Sequence, residues 1–351
     1  MTDTSQSPVD WEFAKQTGAR IVPAGPKVSP DEAAGVVASI HAAAARAQQP
    51  VAETARLQAP GEAPAPLVVD RPTWISLNAD SMSAMVDPVF AKIVGRRKQQ
   101  PSPAVAAVGG KVTGGEAGAL LAFMASKVLG QYDLAPGGTP RLLLVAPNVV
   151  HVERELGVDP DDFRLWVCMH EETHRVQFTA VPWLRDHMVD RARALATEMA
   201  PDPEKLQDIV SRLSKQLPEA FRSGGTGITE LIATPEQRER LAQMTAVMSL
   251  LEGHADVVMD EVGPDVVPSV ATIRARFTAR RAGVDPFDRL VRRLLGLEDK
   301  MRQYRDGARF VRGVVEEVGM DGFNAVWTSP ETLPGPEEIA DPRAWVRRVH
   351  G

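Results

Sequence analysis

The sequence predicts a mainly α-helical protein with one small β element just before its most distinctive helix. Several long segments carry apolar residues at helical spacing, open on capping residues and close near Pro or Gly. Aromatic residues make up only 5% of the chain while alanine is plentiful, which suits closely packed helices. The short apolar run Arg141–Val145, RLLLV, is the clearest strand.

The chain before residue 67 is predicted to be an arm rather than part of the main domain. Ser29 and the Pro-Asp-Glu that follows it predict a helix that continues to about Gln48 and ends at Pro50. The Pro-rich stretch Ala59–Pro66 is expected to be an extended linker. We therefore expect an arm of tail, helix and linker at 1–66 and the main domain at 67–351.

Helices are also predicted over residues 73–85, 88–97 and 113–130, ahead of the RLLLV strand. After the central motif, helices are predicted over 182–200, 203–217, 286–295 and 297–318. The last two are expected to be broken near Gly296 or Gly307, because glycine favours a helix end.

The most distinctive segment, Asp159–Phe178, contains the motif His-Glu-x-x-His. Asp159 can cap a helix, Pro160 suits its first position, and the two aspartates that follow favour the positive end of the helix dipole. Pro182 lies close to where this helix must end. The motif is therefore predicted to lie on a single helix.

His170 and His174 of this motif are four residues apart, so a helix puts both on one face and lets two ring nitrogens bind one metal ion. Glu171 points about 100° further round the helix, towards a water on the metal rather than the metal itself. Zinc lowers the pKa of such a water towards ~7, and Glu171 would take its proton as general base. The alternative is a pair of core histidines with solvated glutamates.

A third ligand candidate lies in another predicted helix, Thr234–Val262, which opens on a capping box of Thr234 and Gln237. Glu252 and Asp256, one turn apart, fall on its apolar stripe, where a charge is costly unless paired or bound to metal. We predict that Glu252 is the third zinc ligand and that Asp256 fixes the tautomer of a ligand histidine. A buried salt bridge to an arginine is the alternative for both.

Two other histidines compete with Glu252 for the third ligand position. His254 points to nearly the opposite side of its helix, although it could still line the cleft if that helix is buried all round. His187 lies beyond Pro182 with no partner spacing. The longer pattern HExxHxxGxxH is excluded, because Gln177 and Ala180 stand where it requires glycine and histidine.

The combination of HExxH with a downstream Glu-x-x-Ala-Asp resembles the gluzincin type of metallopeptidase. More closely, the phrases HEETHRVQF, PWLRDHM, SLLEGHADVVMDEVG and KMRQYRDGARFV resemble a mainly actinobacterial family of zincin-like proteins regarded as zinc-dependent metalloproteases or hydrolases. The resemblance extends from about Trp11 to Val349.

This resemblance implies a zincin-like fold with one zinc ion per chain, held by His170, His174 and Glu252, with Glu171 as the catalytic glutamate. In such folds an edge strand at the position of Arg141–Val145 lines the cleft and can pair with an extended peptide. A plain core strand remains the alternative. The ligand set also suits iron or manganese.

Composition limits the possible partners and location. The net charge of −6 argues against nucleic acid as a main partner, and no run of about 18 apolar residues predicts a membrane span. The single cysteine, Cys168, is predicted to be a core residue, allows no internal disulfide and fits a reducing cytoplasm. Tyr304 could donate to an oxyanion in the cleft, although a packing role is the alternative.

Three functions are compatible with this pattern. The first is a zinc-dependent hydrolase, most specifically a peptidase. The second is a zincin-like protein that binds metal and partners but no longer cuts, although such a role does not require Glu171. The third is a hydrolase of a non-peptide amide in small-molecule metabolism, which the same ligands could serve.

Overall fold

The computed structural model describes residues 7–61, 64–94, 102–199, 234–282 and 297–351. Its α-helices are α1 (Trp11–Ile21), α2 (Pro30–Ala55), α3 (Arg71–Val94), α4 (Pro103–Ala125), α5 (Ala146–Leu156), α6 (Pro160–Ala180), α7 (Leu184–Met199), α8 (Pro235–Val262), α9 (Val270–Ala282), α10 (Leu297–Phe323), α11 (Pro336–Ala340) and α12 (Pro342–His350). Its strands are β1 (Leu67–Val69), β2 (Gly130–Asp133) and β3 (Arg141–Val145). Two short 3-10 helices, Asn324–Trp327 and Pro330–Thr332, follow α10. The predicted fold class, mainly helical with a small β element before the HExxH helix, is confirmed.

The chain divides into two compact units. The first contains residues 1–189 and 258–278, and the second contains 190–257 and 279–351. The predicted helices at 203–217 and 286–295 lie outside the described residues. The division into an arm at 1–66 and a domain at 67–351 stays a prediction.

The first unit contains the small sheet, in which β3 is the middle strand. It pairs in parallel with β1 and antiparallel with β2. The predicted strand is observed at its predicted bounds, and of the two alternatives for it, edge strand or core strand, the edge strand is wrong. β3 is buried from Leu142 to Val145, as expected of a strand with a neighbour on both sides.

Strand β2, at the edge of the sheet, was not predicted. The sequence predicted a helix as far as Gly130, whereas α4 ends at Ala125 and Gly130 opens the strand. The turn that separates them is closed by hydrogen bonds from the Ser126 and Lys127 amides to carbonyls at the end of α4. Pairing with β3, a tertiary interaction, overrides the local helical pattern.

Helix α2 is longer than predicted, because it continues through Pro50 to Ala55. Pro50 removes one backbone hydrogen bond, yet the apolar residues around it are buried against α6. Ala47, Val51 and Ala55 are fully buried, and this packing offsets the local cost. Helices α1 and α5 were not predicted.

Helix α6 forms as the sequence predicts. The Asp159 carboxylate accepts hydrogen bonds from the amides of Asp161 and Asp162, both at 3.0 Å. The helix then continues through the HExxH motif to Ala180, two residues before Pro182. Many of its residues belong to a buried hydrophobic cluster, so the motif lies on a closely packed helix.

Within the second unit, α8 and α10 cross at two glycines, Gly253 and Gly307. A Cβ on either residue would overlap the backbone of the other helix, so glycine is what permits the close approach. Of the two predicted break positions, Gly307 is therefore wrong, and Gly296 lies outside the described residues. The helical geometry of α10 is interrupted at Gly319 instead, where φ is +72°. None of the described helices is long and apolar enough to cross a membrane.

Candidate metal centre

The rings of His170 and His174 converge on one point. Their Nε2 atoms lie 3.2 Å apart, and the ring planes are almost perpendicular at 89°. Two nitrogen ligands of a tetrahedral zinc ion, each about 2.05 Å from the metal, are separated by about 3.3 Å. The spacing of the two half-buried rings therefore fits two ligands of one metal ion.

The second nitrogen of each ring also has a neighbour. His174 Nδ1 lies 2.9 Å from the amide oxygen of Gln177, and His170 Nδ1 lies 3.2 Å from the sulfur of Met259. Because the Gln177 oxygen can only accept, Nδ1 of His174 carries the hydrogen in this contact and leaves the lone pair of Nε2 for a metal. Gln177 was not predicted in this role, although its position one turn after His174 was a usable signal.

Glu252 completes a group that could hold a metal ion. A ligand atom from each of His170, His174 and Glu252 lies within 4.8 Å of the other two, and all three side chains are half-buried. Two imidazoles and a carboxylate are a donor set typical of catalytic zinc, which keeps a fourth position open. The residues present therefore fit the metal that the sequence predicted.

Glu171 is nearly inaccessible, with only 6% of its surface exposed, and it lies against the start of β2. A Cβ added to Gly130 would be 2.5 Å from Cγ of Glu171, 2.7 Å from Cδ and 2.9 Å from Oε1. These distances are shorter than carbon contacts in proteins normally allow. The Glu171 carboxylate is thus packed directly onto the backbone of Gly130.

The backbone of β2 presents hydrogen-bonding groups at the edge of the sheet. The Val145 amide donates to the Leu129 carbonyl at 2.9 Å, and antiparallel pairs alternate between bonded and non-bonded. Gly130 and Tyr132 consequently belong to the non-bonded pairs, and their N–H and C=O groups point away from β3. No other strand of the described chain pairs with β2.

The side chains of β2 alternate between two helices. Tyr132, on the same face as Gly130, stacks on Phe178 of α6 with ring centroids 5.8 Å apart. On the opposite face, Gln131 donates to Asn78 and Asp133 accepts from Ser81, both in α3. Strand β2 therefore runs along α6 from the second residue of the motif to Phe178.

Burial and nearby charged groups shift the pKa of the Tyr132 phenol. Burial raises the pKa of Tyr132, while the nearby Arg175 and Arg185 lower it and Glu172 raises it, with a net rise. Arg175 is itself held by a buried ion pair to Glu172, with Nε 2.7 Å from Oε2. Tyr132 thus keeps its proton at neutral pH and can donate a hydrogen bond.

The other predicted site residues have different surroundings. His254 is fully buried against the rings of Phe323 and Trp327, and His187 packs on Trp183. Neither belongs to the metal-capable group found among the described residues.

Asp256 is half-buried one turn after Glu252, and its role in fixing a ligand histidine stays a prediction. Tyr304 lies in α10, but its side chain falls outside the described part of the chain. Cys168 is buried, and burial, with the charges of Glu171 and Glu172, raises the pKa of its thiol, which is typical of an inert core residue.

Comparison with known proteins extends over nearly the whole chain. The profile of a family described as zincin-like metallopeptidase matches residues 9–346. The chain is also similar to a crystal structure from Chloroflexus aurantiacus, described as a proposed hydrolase with a novel fold, with 28% sequence identity and a TM-score of 0.67. That match covers 97% of this chain and 99% of the other. Comparison with curated proteins gives no match.

Proposed function

The chain belongs to the zincin-like metallopeptidase family, and from this premise we propose that it is a zinc-dependent hydrolase, most specifically a peptidase. The observation that carries the proposal is the convergence of His170, His174 and Glu252, with the buried Glu171 next to His170 in the motif. The family and the similar hydrolase structure support the broader class of metal-dependent hydrolase.

Four residues of the chain have roles in the proposed reaction, three as metal ligands and one as general base. His170, His174 and Glu252 would hold the ion, which would supply an activated water and polarise the scissile carbonyl. Glu171 accepts a proton from that water and later delivers it to the leaving amine. The buried position of Glu171 keeps its carboxylate in one place, so that little reorganisation is needed during the reaction.

The position of β2 favours an extended peptide as the substrate. The outward N–H and C=O groups of Gly130 and Tyr132 can pair with a peptide laid along the sheet edge, as an additional strand. A peptide paired with this edge would be held by Gly130, the residue that contacts the Glu171 carboxylate. A small amide without a peptide backbone would use only part of this edge.

The first test combines metal analysis with hydrolysis. Purified wild type, prepared without chelators, is expected to hold one zinc per chain and to cut peptides from a mixed library. Glu171→Gln should keep the zinc and lose hydrolysis by at least about 10²-fold, because it removes the base but no ligand. A Glu171→Gln variant with full activity would exclude this mechanism.

Two other outcomes would favour the alternative functions. Bound zinc without hydrolysis of any peptide, together with cleavage of small amides, would indicate an amide hydrolase of metabolism. Bound zinc with neither activity would favour a protein that binds metal and partners but no longer cuts. Absence of metal in the wild type would remove the zinc proposal altogether.

A further inference from the structure

We propose that Gly130 is a positioning residue, which fixes the carboxylate of Glu171 by direct contact with the β2 backbone. The inference rests on the proposed function, in which Glu171 is the general base. It adds a residue that lies 41 positions before Glu171 in sequence and is not one of the proposed metal ligands. The contact itself, however, can be tested without any assay of activity.

The backbone conformation of Gly130 does not by itself require glycine. Its φ lies outside the left-handed region, and an ordinary residue could adopt the same extended strand conformation. Glycine inside a strand is also costly, because it loses more conformational freedom on folding than other residues. The space occupied by the Glu171 side chain explains why glycine stands here.

The backbone on each side of this contact is held in place. Gly130 is paired with Leu144 of the buried central strand, and the Leu129 carbonyl beside it accepts from the Val145 amide. The far end of β2 is tied to α7 by Arg185, which donates to the carbonyls of Leu134 and Ala135 at 2.9 and 2.7 Å. Glu171 is held on α6, whose flanking residues are buried.

A side chain at position 130 would therefore displace the carboxylate rather than the strand. The same glycine also directs its N–H and C=O towards the open edge, where the proposed peptide lies. Gly130 would thus lie next to both the carboxylate of Glu171 and the backbone of the bound peptide. A misplacement of about 1 Å in such an arrangement can cost about 10²-fold in rate.

A double-mutant cycle in thermal stability tests the contact. Gly130→Ala is expected to lower the melting temperature in the wild type but not in a Glu171→Ala background, because the three atoms that it would meet are then absent. Equal losses in both backgrounds would overturn the proposal. If Gly130→Ala alone does not fold, the double variant should fold, and failure of both would also overturn it.

The positioning role is tested by kinetics on the zinc-loaded enzyme. Gly130→Ala should keep one zinc per chain and a KM within about twofold, while kcat falls by about 10²-fold. An unchanged kcat, or a fall explained by loss of zinc, would contradict the role. If the wild type cuts nothing, the proposed function fails, while the stability cycle still reports whether the contact exists.

Gly138→Ala is the matched control. Gly138 lies in the loop of the same β2–β3 hairpin, and a Cβ added there meets nothing within 4 Å. The same substitution at this position is expected to leave melting temperature, zinc content and kcat close to those of the wild type. An effect as large as that of Gly130→Ala would mean that the hairpin, rather than the contact with Glu171, is sensitive to alanine.

Discussion

His170 Nε2 and His174 Nε2 face each other across 3.2 Å, one turn apart on the same buried helix. Their spacing matches that of two ligands on one tetrahedral zinc ion, so two of the three proposed ligands are set by α6 alone. The third, Glu252, comes from α8, which follows in the chain more than fifty residues later. The change in zinc affinity on substitution of Glu252 should therefore be the most informative test of the three-ligand site.

Glu252→Ala is expected to weaken zinc binding by more than the 10–100-fold typical of an outer contact, because a direct ligand is lost. Zinc affinity can be measured by competition with a coloured chelator. His187→Ala is the comparison, since this histidine packs on Trp183 and competed with Glu252 for the role. Zinc lost in His187→Ala and kept in Glu252→Ala would reverse the assignment.

Gln177→Leu should weaken zinc binding by about 10- to 100-fold, because His174 loses the acceptor that orients its ring. Gln177→Glu retains an acceptor and should bind zinc at least as well as Gln177→Leu. If Gln177→Leu binds zinc as tightly as the wild type, the orienting role of Gln177 is wrong.

The same chelator competition on Asp256→Asn tests the predicted role of Asp256.

Tyr132→Ala should lower kcat/KM about tenfold for peptides with a large apolar residue near the scissile bond, because the stacked surface with Phe178 is lost. Tyr132→Phe keeps that surface and should act as the wild type does. A large fall in kcat for Tyr132→Phe would instead identify the phenol as a hydrogen-bond donor in the reaction. Tyr304→Phe tests whether Tyr304, the tyrosine predicted from the sequence, donates a hydrogen bond to the oxyanion.

Gly307→Ala should destabilise the protein by about 3 kcal/mol, because the added Cβ would overlap the Ser249 carbonyl where α8 and α10 cross. Chemical denaturation monitored by circular dichroism measures the change. Gly35→Ala, in the exposed face of α2 with nothing within 4 Å of the added Cβ, should instead gain up to about 1 kcal/mol. Similar losses at both glycines would contradict the crossing argument.

Acid should remove the contribution of the ion pair between Glu338 and Arg348. Burial alone would raise the pKa of Glu338, but hydrogen bonds from Arg348 and from the Gly335 amide outweigh it and hold the pKa below its ordinary value of 4.5. A carboxylate whose pKa is lower in the folded state stabilises above its unfolded pKa, and this contribution is lost as pH falls through the folded pKa.

Glu338→Gln should therefore cost about 1 kcal/mol at pH 7 and much less at pH 3. Unfolding by urea at the two pH values measures the difference. Glu337→Gln, at the exposed neighbouring position, is the control and should have little effect at either pH. The same loss at both pH values for Glu338→Gln would mean that the charge of Glu338 contributes nothing.

Local patterns predicted the metal helix well, because its information is contained in consecutive residues. Asp159 caps α6 and Thr234 and Gln237 cap α8 as expected, with Gln237 N 3.2 Å from the Thr234 hydroxyl and Thr234 N 2.8 Å from the Gln237 amide oxygen. The four-residue spacing of His170 and His174 needs only the helix to bring the rings together.

The errors occur where a partner distant in sequence decides the conformation. Strand β2 forms where the pattern predicted helix, because β3 supplies its hydrogen bonds. Pro50 does not end α2, because burial against α6 outweighs one lost hydrogen bond. Gly307 does not break α10, because the missing side chain serves a close helix crossing instead.

The sequence by itself determined the helical fold class, the motif and the candidate ligands, since caps and helical periodicity act within a few residues. Only the tertiary structure decided that RLLLV is the central strand, that Gln177 contacts His174, and that Gly130 lies on Glu171. The central strand and the Gly130–Glu171 contact depend on which elements pack together. Packing brings together residues that are far apart in sequence, so local patterns do not reveal it. The residues around Gly130 in sequence do not indicate its role. Glycine matters at this position because the Glu171 side chain occupies the space that a Cβ would need.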